Sequence, residues 1–146
     1  MAKIRITRKG DFEMAKRVAD LKKLVRRDLP RIVGTETVNF SKESFRRQGW
    51  QDSGFKKWKP RKNNKDKGRA ILVKSGDLRR SIKKQVSSKK VVIYSNLPYA
   101  AIHNYGQRAG RGKGFKMPKR QFLGKSKALD LRIKRIIKKE VDKILK

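Results

Sequence analysis

Apolar residues recur along the first third of the chain at helical spacing. From Asp11 onward Met14, Val18, Leu21 and Val25 follow at steps of four, three and four, the interval that places side chains on one face of a helix. Asp11 stands where it would cap that helix. Asp28-Leu29-Pro30 predicts a stop and a restart, because proline is tolerated at the first position of a helix but not in its interior. A second helix is expected from Pro30 to Arg47, with Val33, Phe40 and Phe45 turned inward. Gly49, Gly54, Pro60 and Gly68 then break the pattern, and from Lys59 to Lys67 nearly every side chain is Lys, Arg, Asn or Asp. That composition predicts a mobile basic loop over 48–70. Its start carries Trp50, Phe55 and Trp58, rings too costly to leave in water beside a core, so they should pin its first half to the fold.

Further along, Ile71, Leu72 and Val73 make a short apolar run before a Ser75-Gly76 turn, and Leu78, Ile82 and Val86 follow at a spacing of four. That spacing fits a helix and also every second inward position of a strand; a strand after a tight turn is the favoured reading. Ser87 to Lys90 should connect it as a hairpin to Val91-Val92-Ile93-Tyr94, a β-branched and aromatic strand. Pro98 to Tyr105 reads as a short helix with Asn96 as cap candidate, Tyr99 and Ile102 inward, and Gly106 in the left-handed terminal conformation. Gln107 to Lys116 is a Gly and Arg loop. Beyond Phe122-Leu123-Gly124, Ser126 can cap a last helix in which Leu129, Ile133, Ile136, Ile137, Val141 and Ile144 form a broad apolar stripe.

This order predicts an α+β domain: a small antiparallel β-sheet packed against N-terminal and C-terminal helices, with long basic loops. The 146 residues suit a single domain, 1–146. It divides into a basic N-terminal segment (1–10), a helical part (11–47), the loop (48–70), the sheet with its short helix (71–124) and the C-terminal helix (125–146).

Charge changes the picture. Lys and Arg number 44 against 12 acids, a formal net charge of +32, so the surface repels itself and calls for a polyanion or a packed partner. Nucleic acid is the first such partner, since Lys and Arg displace counterions along a phosphate backbone without any base contact. The core is thin, because hydrophobic residues make up only 36% of the chain. The absence of cysteine rules out disulfides and thiolate metal sites. No apolar run exceeds four residues, so neither a signal peptide's apolar region nor a membrane span is expected.

Candidate chemistry is sparse. His103 is the only histidine, with no Cys or cluster of acids near it in sequence, and acid-base or nucleophilic catalysis needs a partnered constellation. It reads as a structural or interface residue. Gly124-Lys125-Ser126 imitates the end of a phosphate-binding loop, but Lys119 stands where that motif needs glycine. The segment Gly106 to Gly114, with Arg108, Arg111 and Lys113 among its glycines, is a flexible cationic ribbon suited to backbone phosphates or simply to solvation. The last helix is basic and amphipathic, and its apolar stripe is read as core packing rather than membrane contact.

Three segments in sequence order resemble a known family: Ile71-Leu72-Val73-Lys74-Ser75-Gly76-Asp77-Leu78-Arg79-Arg80-Ser81-Ile82, Tyr99-Ala100-Ala101-Ile102-His103-Asn104-Tyr105-Gly106, and Met117-Pro118-Lys119-Arg120-Gln121-Phe122-Leu123-Gly124. Upstream, Trp58-Lys59-Pro60 fits the same pattern, so the likeness runs from about Phe40 to the C-terminus. The chain resembles the phage virion morphogenesis proteins, which include Mu-like tail-completion proteins. The resemblance implies a virion structural protein of a phage or prophage, not an enzyme and without cofactors, completing the tail at the head–tail joint as a homo-oligomeric ring. Its implied partners are itself, other tail or connector proteins and, non-specifically, phage DNA, with no membrane. It would belong to the virion, and to the host cytoplasm during assembly. Arg108, Arg111 and Lys113 are then expected to face DNA, and Tyr99, His103, Tyr105, Phe122 and Leu123 to serve packing or subunit contact. Two competing classes are a free nucleic-acid-binding protein, ribosomal or chromatin-like, and a small hydrolase using His103.

Overall fold

The structure, a computed structural model, describes residues 9–62 and 68–146. Most of the basic N-terminal segment and the centre of the expected basic loop therefore lie outside the described residues. Helix α1 (Lys9–Lys23) opens two residues before Asp11, which sits in its first turn, where a carboxylate complements the helix dipole, rather than at the cap.

The chain does not stop before Pro30. Leu24–Asp28 widen into a π-turn in which the Leu29 amide donates to the carbonyl of Leu24, and α2 (Leu29–Arg47) continues from it. Proline has no N–H to give to the carbonyl four residues back, and one inserted residue shifts the hydrogen-bond pattern just ahead of it. The expected break is thus a bulge within a helical run. Of the apolar stripe read on α1, Met14, Val18 and Val25 stay exposed, and Leu24 is the buried residue of this stretch.

Helix α2 organises the interior. Phe40 and Phe45 are both buried, and a five-residue separation at ~100° per residue places them roughly 140° apart around the axis. Each therefore seeds its own cluster. Phe45 packs with Trp58, Leu78, Ile82, Ala100 and Phe122, meeting Trp58 edge-on at 5.4 Å and Phe122 at 5.2 Å. Phe40 meets Trp50 edge-on at 5.4 Å beside Leu129.

After α2 the chain turns at Gln48, a non-glycine residue at φ 56. That left-handed conformation costs roughly 1–2 kcal/mol. The Gln48 carboxamide offsets it by donating to the carbonyls of Phe45 and Ile71 and accepting from the Ile71 amide. Where a loop was expected, β1 (Gly49–Gln51) and β2 (Phe55–Lys57) form an antiparallel hairpin. Trp50 and Trp58 anchor it as expected, but Phe55 is exposed and is covered by the Arg47 guanidinium 4.6 Å from its ring centre.

The first half of the strand expected after Ser75-Gly76 is instead a one-turn helix, α3 (Asp77–Arg80), which leads into β3 (Lys83–Val86). The four-residue spacing of Leu78 and Ile82 fits either element, and a helical turn buries both. Strand β3 pairs with β4 (Val91–Tyr94) through the predicted hairpin, Val86 opposite Val91. This ribbon lies on α2 at Gly34, where a Cβ would come within 3.1 Å of Val91 Cγ1. Helix α4 (Ala100–Tyr105) has its cap position at Tyr99 rather than Asn96 and ends at Gly106, φ 72. The expected Gly and Arg loop contains β5 (Arg108–Ala109) paired with β6 (Phe115–Lys116).

Helix α5 (Lys127–Leu145) is capped by Ser126, whose Oγ accepts from the Leu129 amide at 3.1 Å. It is bound to α2 by Arg132, which donates to Glu43 at 2.9 Å and lies 5.1 Å from the Phe40 ring centre. The Glu43 hydrogen bond pushes the Arg132 pKa up. The fold is α+β, and among the described residues its strands form three separate two-stranded ribbons around the helices.

Phe122 has no solvent exposure and touches the Phe45 cluster from the far end of the chain. Phe122→Ala should lower unfolding stability by about 3–5 kcal/mol, measured by urea titration; a loss below about 1 kcal/mol would contradict this account of the core.

Candidate functional site

The segment from Met117 to Gly124 runs alongside α4 and is stitched to it by main-chain and carboxamide hydrogen bonds. The Arg120 amide donates to the His103 carbonyl at 2.8 Å, and the Met117 amide to that of Gln107 at 3.1 Å. Asn104, itself buried, accepts from the amides of Phe122 and Leu123 at 2.9 Å each and donates to the Leu123 carbonyl at 3.1 Å. Gly106 allows the close approach: at φ 72, a Cβ there would fall 2.9 Å from the Lys119 nitrogen.

A third strand of chain joins them. Arg120 is buried, and its guanidinium donates to the carbonyls of Lys59 at 3.0 Å and Pro60 at 3.2 Å. The Trp58 indole donates to the Gln121 carbonyl at 2.8 Å. Burial, and then the charge of Arg61, push the Arg120 pKa down. Residues 58–60, α4 and the 117–124 segment thus behave as one unit.

An open groove of about 1700 Å³ lies between this unit, the 72–78 turn and the start of β6. Its lining is apolar at Leu72, Leu78, Tyr99, Met117 and Pro118, and cationic at Lys59, Lys62, Lys74, Lys116 and Lys119. Among the described residues Asp77 is the one acid that lines it. That carboxylate is engaged by Ser75 and by Arg80 at 2.6 Å, and the Ser75 hydrogen bond followed by Arg80 holds its pKa below the usual carboxylate range. The groove therefore presents positive potential over an apolar surface.

Tyr99, at the cap of α4, and His103, within it, stand one turn apart with their rings edge-on at 6.2 Å. Tyr99 does not turn inward as the periodicity suggested: it is 39% exposed, because the helix starts at Ala100 and leaves it at the groove. His103 is half-buried, and its Nδ1 has no hydrogen-bond partner among the described residues. Burial, reinforced by Arg120, lowers its pKa. Among the described residues no three His, Cys, Asp or Glu side chains cluster to hold a metal. The arrangement is suited to binding; among the described residues no base-nucleophile pair is assembled around His103.

The remaining residues singled out in the sequence separate into two places. Phe122 is in the core and Leu123 is half-buried behind α4, its backbone held by Asn104. Tyr105 is 64% exposed at the groove. Arg108, Arg111 and Lys113 are exposed on the β5–β6 ribbon, where the Arg108 guanidinium donates to the Lys113 carbonyl and closes the tip. Asn104, Arg120 and the groove lysines escaped sequence reasoning. The first two stand next to other polar residues, His103 for Asn104 and Lys119 and Gln121 for Arg120, with nothing in the sequence to mark them as buried, and Lys59 and Lys62 looked like a solvated run.

The family model described as the phage virion morphogenesis family matches residues 12–142. The Mu-like prophage FluMu G protein 2 of Haemophilus influenzae is 35% identical over 81 residues, 56% of this chain and 56% of that protein. The chain thus spans about half the length of the curated relative it matches. No solved structure matches the chain.

Asn104→Ala strands two amides and a carbonyl in a buried seam, and should cost at least about 2 kcal/mol in urea unfolding. The depressed His103 pKa means that the unfolded chain takes up the proton first on acidification. Its stability contribution is complete above the ordinary histidine value of about 6.5 and is lost as pH falls toward the folded value. Urea midpoints should drop between pH 7.5 and 5.5 at constant ionic strength, and the drop should shrink in His103→Gln. An equal drop in that variant would assign the dependence elsewhere.

Proposed function

Since the chain belongs to the phage virion morphogenesis family and so takes part in building a virion, we propose that it completes the tail at the head–tail joint, as a homo-oligomeric ring around the DNA path. The observation that carries the ring is the uncovered stripe of α1 and the π-turn after it, where Met14 is 63%, Val18 42% and Val25 56% exposed. Contiguous apolar surface left in water marks an interaction site. A heterologous contact between that stripe and another face of the next copy generates a ring when its rotation closes.

In this reading Tyr99, His103 and Tyr105 contact a neighbouring subunit or connector protein. Arg108, Arg111 and Lys113 face DNA from an exposed ribbon. A lumen filled with phosphate would relieve the mutual repulsion of chains that each carry +32. The protein would then belong to the virion, passing through the host cytoplasm during assembly.

The second reading, a free nucleic-acid-binding protein, draws on the same charge and predicts a monomer that gathers only on DNA. Native mass of the nuclease-treated protein at moderate salt, with negative-stain images, separates the two. Closed rings are expected, and Met14→Glu with Val18→Glu should shift the mass toward the monomer; a wild-type monomer assembling only on DNA would favour the second reading. Neutralising Arg108, Arg111 and Lys113 together should flatten the log–log salt dependence of DNA binding by about one unit for each phosphate they neutralise. An unchanged slope removes them from the DNA face.

A further inference from the structure

We propose that the groove beside α4 is a docking site for an extended acidic peptide segment with interleaved apolar side chains, contributed by a partner protein of the virion. The inference rests on the virion reading for the partner's origin only. The binding chemistry follows from the groove itself.

Small-molecule sites run to ~300–1,000 Å³, and a groove of about 1700 Å³, open along one side, has room for a run of residues. Its charge is one-sided. Among the described residues five lysines, 59, 62, 74, 116 and 119, line it against Asp77 alone, and that carboxylate is already held by Ser75 and Arg80. An occupant rich in Asp and Glu meets complementary potential, which gives fast and specific association.

The apolar lining decides between a peptide and a nucleic acid. Leu72, Met117 and Pro118 are aliphatic walls on which no base can stack, and they line the groove alongside the exposed rings of Tyr99, Tyr105 and Phe115. Single strands are held by successive stacking platforms along a cationic track, and a duplex backbone gains nothing from apolar walls. Aliphatic and aromatic side chains of a peptide would fill such walls and bury them.

The groove is also built in advance. Arg120 ties its 59–60 wall to the segment beside α4, and Asn104 ties that segment to the helix. Leu72 is held at φ 59 in the wall, a left-handed conformation that is costly for a side chain of this size. Strain of this kind gathers where a surface must be preorganised for binding.

The test selects random peptides of about twelve residues against the full chain, with counter-selection on the charge-reversal variant Lys59→Glu/Lys119→Glu, both positions being exposed. Enriched peptides should alternate Asp or Glu with aromatic or aliphatic residues and should bind the variant at least tenfold more weakly. Because His103 is the only histidine, its imidazole signals in isotope-edited NMR report on the groove without ambiguity. They should shift saturably with a selected peptide. Peptides without that composition, equal binding to the variant, or an unmoved His103 signal would each overturn the proposal. So would an oligodeoxythymidylate that shifts His103 at lower concentration than any peptide, which would assign the groove to single-stranded nucleic acid. Native mass reads ring assembly separately, so a failed ring and a failed groove are distinguishable.

Discussion

The Asn104 carboxamide satisfies the amides of Phe122 and Leu123 and the Leu123 carbonyl, three backbone groups of a segment that is in neither a helix nor a strand. Irregular backbone in an interior normally carries unpaired polar groups, and each one is expensive. By taking up all three, Asn104 lets Phe122 enter the Phe45 cluster at zero exposure. The same segment then positions Arg120 to reach Lys59 and Pro60. It also brings the chain to Ser126, whose Oγ donates to the Gln51 carbonyl at 2.7 Å and caps α5. The first core, the groove wall and the start of the last helix all follow from one side chain.

With 12 acids among 146 residues, placement of negative charge matters more than its amount. Glu36 and Glu43 on α2 receive Arg132 from α5, drawing a cation inward over the Phe40 ring between the two helices. Asp52 accepts from the Lys127 amide at 2.7 Å, adding a second cap to α5 from the β1–β2 turn. These acids sit at seams between distant parts of the chain. The cations outnumber them on the open surfaces, where solvent and salt screen the repulsion.

Legibility in the sequence followed the range of the determining contact. Helix α5 with its Ser126 cap, the Val86–Val91 hairpin and the Gly106 terminus are local signals, each set within a few residues. Phe40 and Phe45 were recognisable as core by their apolarity within a helical pattern. The π-turn before Pro30 was not, because a local rule ending the helix competes with the packing of Leu24 and Phe40 on either side of it. The β1–β2 hairpin was hidden in glycine and lysine, since its register is fixed by Trp50 and Trp58 docking into two different clusters. The groove was hidden for the same reason: Lys59 is 61 positions from Arg120, and no spacing rule joins a carbonyl to a guanidinium across that distance.

Lys116 belongs to two surfaces at once. It lines the groove, and in β6 it pairs in register with Arg108 of β5. The ribbon has only two residues in each strand, and its tip is closed by the Arg108 guanidinium on the Lys113 carbonyl. So short a ribbon has little stability of its own. Its orientation is set where Phe115 and Lys116 meet the groove. A partner segment lying against those residues would therefore fix the direction in which Arg111 and Lys113 project. In that arrangement the contact with a neighbouring protein and the approach to DNA are not separate properties of the surface. On the proposed reading they would be two ends of the same ribbon, and charge neutralised at one end would bear on what the other end binds.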